Sequence, residues 1–67
     1  MTIKELKKYV DAEIRKGNGD MTIMISDDDE GNGYHYVWYA FTPATDFDYV
    51  EGMDESVAPK DKTLILG

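Results

Sequence analysis

An α+β fold is predicted for this chain of 67 residues, with one N-terminal helix packed on a small, mainly antiparallel sheet. Three observations predict it. A capped apolar stripe at helical spacing opens the chain, two strand-forming runs flank a Gly-Asn-Gly turn in its middle, and the apolar run Leu64-Ile65-Leu66 stands near its end. The expected order is α-β-β-(β)-β in a single domain over 1–67.

The helix is expected over about 2–16. Thr2 and Glu5 have the spacing of a capping box, in which a hydroxyl accepts from the amide three residues on. Ile3, Leu6, Val10 and Ile14 then share one stripe, while Lys4, Lys7, Lys8, Asp11 and Arg15 fall largely outside it. Arg15 and Lys16 suit the negative end of the helix dipole, and Gly17 can take the left-handed conformation that ends a helix.

A hairpin is expected over about 21–41. Met21, Ile23 and Ile25 alternate with Thr22, Met24 and Ser26. The second run divides into His35, Val37, Tyr39 and Phe41 against Tyr34, Tyr36, Trp38 and Ala40. Gly31, Asn32 and Gly33 supply the positive φ values of the connection. Beyond Pro43 the pattern dissolves, and residues 43–62 read as an irregular acidic segment with a weak strand at Tyr49-Val50 and a turn at Glu51-Gly52. A terminal strand, expected over 63–66, would add to an edge of the same sheet.

Charge is segregated along this order. Residues 1–16 carry a net +2, residues 17–59 carry ten acids and no lysine or arginine, and residues 60–67 carry +1, giving −7 for the chain. A one-signed field attracts basic surfaces and repels nucleic acid and anionic membrane. Direct nucleic-acid binding and membrane binding are therefore not expected, although Tyr34, Tyr36, Trp38 and Tyr39 resemble a base-stacking platform, because such platforms work in a positive field. The chain has no cysteine, hence no disulfide or thiolate zinc site, and no apolar run of signal-peptide or membrane-spanning length. The expected setting is the cytoplasm.

The inventory also bears on catalysis and on metal. His35 is the only histidine, and Ser26 and Ser56 are the only serines, with neither in a nucleophile-elbow context. No enzyme and no cofactor are expected, and His35 reads as a strand residue with a hydrogen bond. Asp28, Glu30, Asn32 and Gly33 match the opening positions of an EF-hand loop, but the twelfth position is Tyr39 instead of the bidentate Glu, and the flanks are strands. A weak calcium-binding turn is one alternative; no metal-ligand set is assigned.

The remaining candidates are binding residues. Asp27, Asp28, Asp29 and Glu30 are four consecutive carboxylates, and each close pair costs up to about 1 kcal/mol even in water. A turn does not need all four. Asp46, Asp48, Glu51, Asp54 and Glu55 make a second cluster, and Tyr36 and Trp38 lie on the strand between the two. Both faces of that strand carry aromatics while one helix is available to cover them. A face is therefore either capped by 43–62 or offered to a partner, a second copy of the chain included. Lys4, Lys7 and Lys8 form a small basic patch that solubilises the helix or meets acidic surface in self-association.

The opening Thr-Ile-Lys-Glu-Leu, the Gly-Asn-Gly-Asp-Met-Thr-Ile-Met-Ile-Ser run, the Asp-Asp-Asp-Glu-Gly-Asn-Gly-Tyr-His turn and the closing Leu-Ile-Leu-Gly together resemble small accessory proteins of phages and prophages in Gram-positive bacteria. The resemblance covers most of the chain and lies in pattern, without a catalytic motif. It implies a product acting in the host cytoplasm, in a class that includes acidic anti-CRISPR and anti-restriction inhibitors of basic nucleic-acid clefts. The leading expectation is thus a non-enzymatic acidic protein that occupies a basic protein surface by mimicking nucleic acid. The alternative is a small assembly protein that oligomerises through its aromatic sheet face. On sequence alone, converting Asp27, Asp28, Asp29 and Glu30 to their amides should leave the fold as stable or more stable.

Overall fold

Helix α1 runs Ile3–Arg15 in the computed structural model, which describes every residue from Met1 to Gly67. Thr2 is its N-cap, with Oγ1 accepting from the Glu5 amide at 3.2 Å. At the other end Gly17 sits at φ +90°. Its N–H donates to the Ile14 carbonyl and that of Asn18 to the Glu13 carbonyl, each at 3.0 Å, which is the double closure of a Schellman end. Asn18 Nδ2 and Lys16 Nζ also donate to the two oxygens of the Glu13 carboxylate, at 2.7 and 3.2 Å.

The hairpin consists of β1, Met24–Ser26, and β2, Tyr34–Tyr36, antiparallel with Met24 opposite Tyr36, Ile25 opposite His35 and Ser26 opposite Tyr34. Ile25 and His35 are half-buried on one face; Met24, Tyr34 and Tyr36 are exposed on the other. Both strands are shorter than the 21–41 span expected, and the backbone accounts for the difference. Beyond Val37 the chain bonds elsewhere: the amides of Trp38 and Tyr39 both donate to the Gly67 carbonyl at 2.6 Å, and the Gly67 amide donates to the Tyr39 carbonyl at 2.9 Å. Ile23 and Met21 are thereby left without a partner strand. Phe41, at φ +57°, then reverses the chain.

The reversal opens a second sheet. β3, Thr42–Pro43, pairs antiparallel with β4, Leu64–Ile65, Thr42 facing Ile65 and Pro43 facing Leu64. The sequence places the terminal strand at an edge of the hairpin sheet; it joins β3 instead, in a separate two-stranded sheet, because Phe41 turns the chain away before a longer β2 can offer that edge. The 43–62 segment holds two 3₁₀ turns, Ala44–Asp46 and Lys60–Lys62, each entered from a proline whose ring presets φ. Tyr49 and Val50 form no strand, but the Glu51-Gly52 turn is present, with Gly52 at φ +81°.

Packing is thin throughout. Ala44, where the two 3₁₀ turns meet β3 and β4, is the one fully buried residue. The first turns of α1 face β4 across an open apolar cleft of about 430 Å³ bordered by Ile3, Leu6, Phe41, Leu64 and Leu66. A second cleft of about 380 Å³ separates Val10 and Ile14 from Met21 and Ile23. The radius of gyration is 13.7 Å, against about 11 Å for a compact chain of this length. The accessible surface is 5908 Å², where a folded monomer of this mass exposes about 4,300 Å². No helix is long and apolar enough to cross a membrane.

Two substitutions test whether local termini hold α1. Gly17→Ala has open space around it, so its cost is backbone strain alone, about 1 kcal/mol. Thr2→Ala should cost about 1 kcal/mol by removing the cap. Both should lower the helical circular-dichroism signal and the urea midpoint; unchanged curves would show that the ends contribute nothing.

Candidate functional site

The 27–33 loop is built by its own side chains. Asp28 Oδ1 accepts from the amides of Glu30, at 2.9 Å, and Asn32, at 3.1 Å, while Oδ2 accepts from Asn32 Nδ2 at 3.1 Å. This is the Asx geometry in which a short carboxylate substitutes for a backbone acceptor. The Asn32 amide first, then its side-chain NH₂ and the amides of Glu30 and Gly31, hold the Asp28 carboxyl below the usual carboxylate range. Ser26 Oγ donates to the Asp28 carbonyl, closing the loop from the strand side.

Asp27 has a different task. Its Oδ1 lies 2.5 Å from His35 Nδ1, and since an ionised carboxylate only accepts, the imidazole must carry its proton on that nitrogen. The His35 ring in turn stacks on Trp38, with centroids 4.9 Å apart and 25° between planes. The pair depends on Gly33, where an added Cβ would stand 2.5 Å from Asp27 Oδ2. His35 therefore has the hydrogen bond expected of it, and the partner is the first acid of the loop.

Asp29 and Glu30 are the acids left over. Asp29 is exposed with no hydrogen bond or ion pair, and Glu30 is exposed with one contact of 3.3 Å to Asn32 Nδ2. Next to them lies Tyr34, whose hydroxyl would stand 2.9 Å from an added Cβ on Gly31; Tyr36, 60% exposed, follows on the same face, while Trp38, 73% exposed, stacks on His35 of the opposite face. The 43–62 segment leaves this face open. It is tied instead to Tyr39, whose ring meets that of Phe47 edge-on at 5.5 Å.

The second acidic cluster is also mixed. Asp54 Oδ1 accepts from the Ser56 hydroxyl at 2.6 Å and the Ser56 amide at 2.9 Å, and these donors, the hydroxyl first, hold its carboxyl below the usual range. Asp46, Asp48, Glu51 and Glu55 are exposed with side chains free of protein partners, while the Asp48 carbonyl accepts from Lys60 Nζ at 3.2 Å. No hydrogen bond or ion pair joins this cluster to the hairpin loop. Nor do three or more carboxylates or imidazoles converge as metal ligands would. At Asp28, the opening position of the EF-hand match, the oxygens face N–H donors, the reverse of what a cation needs.

Sequence reasoning misses two structural roles, the hub formed by Asp28 and the cap made by Asp54. Each had a signal, an acid with an amide or hydroxyl residue two to four positions on. Comparison with protein-family models, with characterised proteins and with solved structures found no match.

The geometry divides the four consecutive acids, and the division is measurable. Asp28→Ala should destabilise the protein, whereas Asp29→Asn should leave stability unchanged or slightly raised by relieving repulsion. The folded-state pKa of Asp28 is depressed, so its contribution is complete at neutral pH and is lost as pH falls through the usual carboxylate range and on through the lowered folded value. Urea midpoints measured down that range should fall more steeply for the wild type than for Asp28→Ala. Parallel curves would remove Asp28 from the fold. Separately, Gly33→Ala should part Asp27 from His35, read as loss of the slowly exchanging His35 ring N–H signal by NMR.

Proposed function

We propose that this chain is a non-enzymatic acidic binding protein that sets its free carboxylates against a basic protein surface, where they take the place of nucleic-acid phosphates. The hairpin end is the observation that supports the reading. There Asp29 projects without a partner and Glu30 with a single 3.3 Å contact to Asn32, beside the exposed Tyr34 and with Tyr36 on the same face, within a stretch of 43 residues that contains no lysine or arginine. Folding uses Asp27, Asp28 and Asp54, so of the two clusters the acids available to a partner are Asp29, Glu30, Asp46, Asp48, Glu51 and Glu55, with Asp20 exposed apart from both. Long-range attraction would speed encounter, and the aromatics would supply short-range contact once water is excluded. The resemblance to phage accessory proteins makes a host nucleic-acid-binding protein the natural class of partner, occupied as an anti-restriction or anti-CRISPR inhibitor occupies its target.

The test is capture of proteins from a nuclease-treated bacterial lysate on the immobilised chain, with release by salt and by duplex DNA. A captured basic protein should be displaced by DNA, and its retention should fall at least about tenfold between about 50 and 200 mM salt. Asp29→Asn combined with Glu30→Gln should weaken capture without changing the melting curve. Retention indifferent to salt, to DNA and to the double substitution would overturn the reading.

A further inference from the structure

Two Asn-Gly pairs occur in the chain, Asn18-Gly19 behind the helix and Asn32-Gly33 in the hairpin loop, and the fold treats them differently. Asn18 is half-buried and tied down throughout. Its amide donates to the Glu13 carbonyl at 3.0 Å, its carbonyl accepts from the Met21 amide at 3.0 Å, and its Nδ2 donates to the Glu13 carboxylate at 2.7 Å. Asn32 is exposed, and its carbonyl accepts from no backbone amide. Its remaining bonds are longer: 3.1 Å from its amide to Asp28 Oδ1, and 3.1 and 3.3 Å from Nδ2 to Asp28 Oδ2 and Glu30 Oε2. Neither Gly19 nor Gly33 donates its amide to a protein acceptor, so the difference lies in the asparagines. We propose that Asn32 is a site of spontaneous deamidation, a one-way modification of the hairpin loop from which the fold protects Asn18.

The chemistry needs only hydroxide and water. Hydroxide removes the Gly33 amide proton, and the nitrogen attacks Asn32 Cγ. The N–Cγ bond forms, the Cγ–Nδ2 bond breaks, and Nδ2 leaves as ammonia after taking a proton from water, which closes a succinimide ring. Water then opens the ring. Cleavage of the new N–Cγ bond leaves aspartate at position 32; cleavage of the bond between the Gly33 nitrogen and the Asn32 main-chain carbonyl carbon leaves isoaspartate. Glycine hinders the attack least, having no side chain. The fold demands it here, since an added Cβ on Gly33 would stand 2.5 Å from Asp27 Oδ2. Asn32 is demanded too, as a donor to Asp28. The loop therefore cannot shed the reactive pair without giving up its own contacts.

Either product replaces the NH₂ that reaches Asp28 and Glu30 with a carboxylate, turning attraction into repulsion and adding one negative charge to the hairpin end. Isoaspartate also lengthens the main chain by one carbon ahead of Gly33. That displaces the carbonyl which accepts from the Asp27 amide at 2.9 Å, and with it the placement of Asp27 on His35. None of this requires a partner on the face.

The folded chain and a guanidinium-unfolded sample, held side by side at mildly alkaline pH and followed by peptide mass spectrometry that localises the amide-to-acid exchange, decide it. In the folded chain Asn32 should convert at least about fivefold faster than Asn18, the factor that one additional hydrogen bond at Asn18 supplies. In guanidinium the two should convert at similar rates. The folded-state rate at Asn32 should rise with pH, and the isoaspartyl product should lose the His35 ring N–H signal by NMR. Equal rates in the folded chain, faster conversion at Asn18, or the same preference for Asn32 in the unfolded chain would overturn the proposal.

Discussion

Three hydrogen bonds join Gly67 to the backbone of Trp38 and Tyr39, and the layout of both sheets follows from them. Gly67 binds the chain just past the hairpin, whose strands pair over three residues each. By anchoring the chain just beyond β4, it holds Leu64–Ile65 within reach of Thr42–Pro43. Phe41 supplies the bend between the two sheets. A left-handed conformation costs an ordinary residue about 1–2 kcal/mol, and Phe41 adopts it while lining the cleft against the first turns of α1. The clasp and the bend together replace the single sheet that strand propensity would have built.

With little buried apolar surface, short-range polar contacts define much of the local structure. Thr2, Asp28 and Asp54 each accept from amides within four residues of themselves, and Glu13 binds side chains from the helix end. The acidic character of the chain consequently has two origins. Some carboxylates are internal acceptors that would be present in a protein with no partner at all. Others, Asp29 foremost, have no internal role, and their mutual repulsion is uncompensated within the chain. Net charge conceals that distinction, which appears only when each oxygen is traced to its donors.

How much of this was legible in the sequence depended on distance along the chain. The helix, its Thr2 cap and its Gly17 terminus were readable because every interaction that sets them lies within five residues. The paired centre of the hairpin was readable from alternation around Gly31-Asn32-Gly33. The Gly67 clasp and the β3–β4 pairing were not, since they join residues more than twenty apart and depend on a φ value that phenylalanine rarely takes. At the site, the positions of the acids were legible but their division was not fully so. Asp28 carried a recognisable Asx signal; the bond from Asp27 to His35 spans eight residues and exists only once the strands are in register.

Ala44 is the only side chain wholly withdrawn from water, and that has a consequence for how the sequence can vary. In an ordinary domain the interior aliphatics restrict mutational drift, because each must fill a shaped space. Here almost every aliphatic borders solvent or an open cleft and can exchange for another of different size. The restriction passes to positions defined by backbone geometry, Gly17, Gly31 and Phe41, to Gly33 beside the Asp27 carboxylate, and to the donors and acceptors of the turns. Lineages carrying this fold could therefore diverge quickly in hydrophobic identity while keeping the same punctuation of glycine, asparagine and short acids.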